Sequence, residues 1–201
     1  MRERYTKRMN IPYPPAKRPL PKHAKKVFTG EIFDVYQWEQ EMYDGSTVVF
    51  EKIKRADTVS VIPITTEQKI LISHEEQPGL KPFYGVFGGR IEPEENPLSA
   101  AKRELLEETG YQSDKWKLWH SFQPFEKIEW AIFSFVAQDC QNIQAQNLDN
   151  GEKIEVMEVD FEKFIKYAQR PDFRDSEISY LVLQALVDPA KMAELKKTIF
   201  D

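Results

Sequence analysis

Cysteine is almost absent from this 201-residue chain, which has Cys140 alone. A single thiol excludes a disulfide framework and a cysteine-ligated zinc site, and burial rather than reactivity is expected of it. The three histidines, His23, His74 and His120, are isolated from one another, so none is expected to ligate a metal. Long apolar runs are missing too. The best of them, residues 130–137, falls far short of the ~20 residues of a membrane helix, and no membrane partner is expected. The first residues are basic and proline-rich and lack the apolar centre of a signal peptide. These absences lead to the expectation of a soluble, cytoplasmic protein.

What is present suits one compact unit. A hydrophobic share of 41% over 201 residues can bury one sizeable core. The net charge of −5 conceals an asymmetry, because residues 1–26 carry nine Lys and Arg against Glu3 alone, leaving about −13 on the rest. Five prolines between Pro12 and Pro21 make this arm extended rather than helical. The expected division is a basic arm, 1–26, and one domain, 27–201. The arm reads either as a solvated or strapped-down tail or as a contact for a partner subunit, a polyanion or the protein's own acidic body. Nucleic acid is not expected as a partner, since no aromatic-rich binding motif or zinc spacing accompanies the basic run.

The densest information lies in residues 88–111, GGRIEPEENPLSAAKRELLEETGY. Asn96 suits an N-cap, Pro97 the first helical position, and Gly110 the left-handed residue that ends a helix, which predicts a helix over 97–109. At about 100° per residue, Leu98, Ala101 and Leu105 share one stripe that should face a core. Glu104, Glu107 and Glu108, at i, i+3 and i+4, form a second stripe beside it. Like charges so placed cost roughly 0.2–0.5 kcal/mol per pair, and anions in the last turn oppose the helix dipole. Arg103 can pair with Glu107 and offsets only part of this. A solvated acidic face is the plain explanation; a bound hard divalent cation, which takes carboxylate oxygens, is the chemical one.

The flanking residues favour the second. The segment fits G-x5-E-x7-R-E-U-x-E-E-x-G-U, with U apolar, through Gly89, Glu95, Arg103, Glu104, Leu105, Glu107, Glu108, Gly110 and Tyr111 in register. It resembles the signature of the Nudix hydrolases, with Tyr111 at an aliphatic-leaning position and Phe87 where many members carry proline. The resemblance implies an α/β fold, an α/β/α sandwich with a mixed sheet. It implies hydrolysis of a nucleoside diphosphate linked to another moiety, with Mg²⁺, or Mn²⁺ as a substitute, held by Glu104, Glu107 and Glu108 and by the Gly89 carbonyl. Arg103 would orient these acids, while Gly88 and Glu95 would support the loop.

The remaining chain narrows the resemblance. Strands are predicted over 31–39 and 47–54 around a turn at 43–46, then over 58–64, 69–73, 115–122, 128–136 and 152–159. Helices are predicted over 161–168, 176–187 and 189–199. The layout resembles the ADP-ribose and nucleotide-sugar pyrophosphatase branch: an N-terminal hairpin (27–54), the signature, Pro124 beyond it, and a late acidic segment before Glu152-Lys-Ile-Glu-Val. That branch implies Glu152 as a further metal ligand and a homodimer formed through the hairpin. Asn150 occupies its usual base position, leaving Asp149, Glu126 or Glu129 for that role. The arginine such enzymes carry near residues 73–77 has no counterpart here. Trp116, Trp119 and Trp130 are read as core or interface packing. The alternatives are a Nudix enzyme for a nucleoside triphosphate or capped RNA, and a non-catalytic ligand sensor of the same fold.

Overall fold

The computed structural model describes residues 11–201, so the first ten residues of the basic arm lie outside the description. Strands β1 (Lys25–Thr29), β2 (Asp34–Glu41) and β3 (Thr47–Lys54) form an antiparallel sheet. Its β2–β3 turn is set by Asp44, whose carboxylate accepts from both the amide and the hydroxyl of Ser46, and by Gly45 at φ 79°. The short β9 (Ile128–Glu129) closes this sheet by lying parallel to β3.

The larger sheet positions the site. It has the order β11–β5–β4–β10–β7, with β6 on β5 and β8 on β10. The strands are β4 (Thr58–Thr65), β5 (Ile70–Glu76), β6 (Phe83–Gly85), β7 (Tyr111–Gln112), β8 (Lys115–Phe122), β10 (Ile132–Asn142) and β11 (Lys153–Val159). β4 and β10 run parallel and their other neighbours antiparallel, so the sheet is mixed.

Alternation along β4 divides the core into two layers. Val59 and Val61 face α1 (Pro97–Thr109), where they pack with Ala100, Ala101, Leu105, Phe133 and Phe135. Ile62 and Ile64 face the other way, toward α2 (Phe161–Ala168), α3 (Ser176–Leu186) and α4 (Pro189–Phe200), and meet Phe164, Ile178, Val182 and Ile199. Helices on both faces of a mixed sheet make the α/β/α sandwich expected from the sequence. Among the described residues no helix is long and apolar enough to cross a membrane. Cys140 is buried, and burial pushes its thiol up to about 12.

Several elements differ from the reading by periodicity. The run 128–136 is two strands on different sheets: it breaks at Trp130 and Ala131, where the Ala131 amide donates to Asp57 and the Trp130 indole donates to Thr58. β10 continues to Asn142 through residues that read as polar loop, because its far end pairs with β7. β1 begins at Lys25, inside the basic arm, and all five of its residues are exposed, so it carries no burial pattern to read. Trp116 packs edge-on to Phe135 and Trp119 joins the helical core, as expected. Trp130 does not; that half-buried side chain is held by Thr58 at the wall of a cavity.

Candidate active site

The acidic helix is built as its punctuation predicts. Asn96 accepts from the Ser99 amide, Pro97 opens the helix, and Gly110 closes it at φ 74° with its amide donating to the Leu106 carbonyl. Ala100, Ala101 and Leu105 are fully buried, whereas Leu98 is only partly so. Burying that stripe turns Glu104 and Glu108 inward beside the Gly88–Gly89 segment and leaves Glu107 more exposed. Both glycines answer a close approach. Gly88 has φ 143° and any Cβ there would collide with the Val59 carbonyl, while a Cβ on Gly89 would collide with the Glu104 carboxylate.

Arg103 organises three of the acids. Its guanidinium donates twice to Glu95 (3.2 and 3.1 Å), and to Glu104 (2.9 Å), Glu107 (3.0 Å) and the Arg90 carbonyl (2.9 Å). Glu95 first and Glu104 next hold its pKa above the ordinary arginine value. Burial works to raise Glu95, but Arg103 and the Glu92 amide outweigh it and leave that carboxyl low. Glu104 is raised by burial against the pull of Arg103.

Glu108 stands apart from this clamp. It is 6% exposed and accepts the Gly88 amide at 2.7 Å. Burial, helped by Glu104, Glu75 and Glu152, pushes its carboxyl up to about 9. As the side chains stand, among the described residues no three acids converge into a metal-ligand set. Arg103 draws Glu104 and Glu107 one way, and Gly88 draws Glu108 the other. The Gly89 carbonyl accepts from the Val59 amide, which occupies one of its two lone pairs. The donors themselves suit a hard divalent ion: they are carboxylates, one buried and crowded by like charges, which is the charge imbalance such an ion relieves.

A cavity of about 860 Å³ opens over these groups, lined by Gly88, Gly89, Glu108 and Glu152 among others. That volume fits a dinucleotide-sized ligand. Glu152 reaches it from the loop before β11, where its amide donates to the Asp149 carbonyl. Asp149 and Glu126 are exposed and do not line the cavity; Glu129 is tied to the buried Lys52. The wall instead brings carboxylates that periodicity did not single out. Glu75 on β5 is 7% exposed, held by the Ser73 hydroxyl, and raised chiefly by burial. Asp175, ahead of α3, accepts the Val86 amide and is pushed up to about 7, again chiefly by burial. For Glu75 the available signal was the polar pair Ser73 and Glu75, which share one face of β5 with the buried Leu71. Asp175 carried none beyond its place as an N-cap.

Comparison with known proteins settles the family. The NUDIX domain profile matches residues 54–183. The chain belongs to the Nudix family. It is 27% identical over 173 residues to an ADP-ribose pyrophosphatase of Bacillus subtilis (strain 168), covering 85% of this chain and 94% of that protein. It is 28% identical over 169 residues to a methanol dehydrogenase activator of Bacillus methanolicus, covering 80% and 91% respectively. A crystal structure of an ADP compounds hydrolase superposes with a TM-score of 0.68 at 19% identity, over 88% of this chain and 97% of that one, and supports the fold. The protein is thus a Nudix hydrolase related to ADP-ribose pyrophosphatases, a family that generally uses divalent metals.

Proposed function

We propose that this Nudix hydrolase cleaves the diphosphate of ADP-ribose or of a nucleotide sugar and releases a nucleoside monophosphate, with Mg²⁺ as the working ion. The observation that carries the reading is a buried Glu108, held by the Gly88 amide and crowded by Glu104 and Glu152, at a cavity large enough for such a substrate. In this reading Glu104, Glu107, Glu108 and Glu152, with the Gly89 carbonyl, would hold the ion, and Mn²⁺ would serve in its place. When bound, the ion supplies charge neutralisation on the phosphoryl oxygens and an acidified water. Arg103 keeps Glu104 and Glu107 aligned, Glu95 fixes Arg103, and Gly88 presents its amide to Glu108.

The proton of the attacking water needs a carboxylate acceptor. The sequence leaves Asp149, Glu126 or Glu129 for this role; the place of Glu75 on the cavity wall, outside the set that would hold the ion, favours it instead. Turnover of a panel with Mg²⁺ tests the reading: ADP-ribose, a nucleotide sugar, a nucleoside triphosphate and a capped RNA. Release of monophosphate from the first two, with little from the others, is expected. Preference for the triphosphate or the cap would move the protein to another substrate class, and tight binding without turnover would make it a sensor.

The same reading divides the chain into an arm, 1–26, and a catalytic domain, 27–201, that pairs through its N-terminal sheet. Val27, Phe28, Phe33, Val48 and Val49 are exposed there, more apolar surface than one small sheet usually leaves in water. Sedimentation at micromolar concentration should report a homodimer, and charge placed at Val49 should shift it to monomer. A monomer in the unaltered protein would remove this part of the reading.

A further inference from the structure

The segment around Lys17 is fastened to the body on both sides. Before it, Pro14 is buried and its carbonyl accepts from the Gln123 amide at 3.0 Å, while the Tyr13 hydroxyl donates to Asp57 at 3.2 Å. After it, the Arg18 carbonyl accepts from the buried Lys52 ammonium at 2.7 Å, and the Arg18 guanidinium lies 4.5 Å from the Phe50 ring centre. Prolines at 12, 14, 15 and 19 stiffen the strap, so ordering it costs little chain entropy.

Between these anchors Lys17 lines the cavity and makes no ion pair among the described residues. Three arginines, Arg55, Arg90 and Arg174, line the same cavity. Arg55 stacks over Trp130 at 4.7 Å, has a buried Nε with no partner, and is crowded by Arg90 and Arg174. Of these arginines, only Arg174 has an ion-pair partner among the described residues, Glu75 at 4.0 Å. Lys17 and Arg55, which make no ion pair among the described residues, stand at a cavity whose other side carries the acidic cluster, an arrangement that suits an anion bridging the two.

We propose that the N-terminal strap completes the substrate site, with Lys17 and Arg55 binding the substrate phosphate that faces away from the Glu104–Glu108 acids. The proposal rests on the diphosphate reading above, and it supplies a cation where the arginine expected near residues 73–77 is missing. Lys17 acts from a segment that precedes the first strand, so the arm is part of the site and not only a tail.

Steady-state kinetics of full-length Lys17→Ala, Lys17→Glu and Lys17→Arg on ADP-ribose test it, with AMP and ribose 5-phosphate as product inhibitors. Lys17→Ala should raise KM about tenfold with kcat nearly unchanged, the size expected of one charge-assisted hydrogen bond. Lys17→Glu should raise it further and Lys17→Arg should restore most of it, and the inhibition constant of one monophosphate should rise in parallel. Unchanged KM and inhibition constants in Lys17→Glu, in a protein whose unaltered form turns over ADP-ribose, would overturn the role of Lys17 alone. If the unaltered protein turns over nothing on the panel, calorimetry with AMP decides separately. Weaker binding to Lys17→Glu sustains the anion site, and equal or absent binding in both proteins overturns it.

Discussion

Glu108→Gln should lower kcat/KM by about 10³ while leaving the fold intact, the largest effect expected of any single substitution in this chain. The glutamine keeps the shape of the side chain and an oxygen for the Gly88 amide, so the loop it anchors need not move. It removes the charge that the proposed ion requires. Stability should respond in the opposite sense. Because the native carboxyl is raised to about 9, the folded state retains a proton that the unfolded chain releases near pH 4.5. The wild type therefore loses stability as pH rises from about 4.5 to about 9, and Gln has no such dependence. At neutral pH the metal-free variant should be more stable by on the order of 2 kcal/mol. Adding Mg²⁺ should reverse this order, since binding stabilises only the form that binds. Thermal melts at pH 5, 7 and 9 with and without the ion, beside a turnover assay, read both halves. Unchanged activity would sink the metal assignment.

The acidic helix was legible in the sequence because local rules and long-range packing agree there. Asn96, Pro97 and Gly110 mark its ends, and the Ala101 and Leu105 stripe marks its buried face, so the facing of Glu104 and Glu108 followed. The apolar run of β4, the alternation of β11 and the three late helices were legible for the same reason. What stayed hidden depends on pairing across distance. β1 is exposed at every residue and is a strand only because β2 supplies its hydrogen bonds. The break between β9 and β10 is imposed by Asp57, some seventy residues earlier, through its bond to the Ala131 amide. Trp130 looked like core because aromatic residues on strands usually are; the same break turns it onto the cavity wall.

The hidden part of the site has the same origin. Glu75, Asp175, Arg174 and Lys17 come from β5, the α3 approach and the strap, and no fixed spacing links them. The metal-facing acids sit on one helix and obey a motif, whereas the substrate-facing groups are collected from loops and can change independently. That division explains why the family was readable from residues 88–111 while the substrate-facing groups were not.

Arg103→Ala should cost both activity and stability, which separates it from Glu108→Gln. The guanidinium makes five hydrogen bonds, with Glu95 held by two of them and Glu104 and Glu107 by one each. Without it the carboxylates of Glu95, Glu104 and Glu107 lose their shared counter-charge, and the helix dipole also opposes Glu107 in the last turn of α1. The Glu95 and Glu104 side chains are 15% and 13% exposed, so water screens their repulsion only in part. A loss of about 2–3 kcal/mol is expected in urea denaturation, together with a fall of about 10² in kcat/KM as Glu104 and Glu107 lose their alignment. Arg103→Lys should recover part of the stability, since a charge remains, but little of the activity, because an ammonium cannot fork between Glu95 and Glu104. Saturating Mg²⁺ should then stabilise Arg103→Ala more than it stabilises the wild type, the ion replacing the missing positive charge between the acids. An equal shift in both proteins would mean that Arg103 and the ion act on separate sites, and would remove Arg103 from the orienting role.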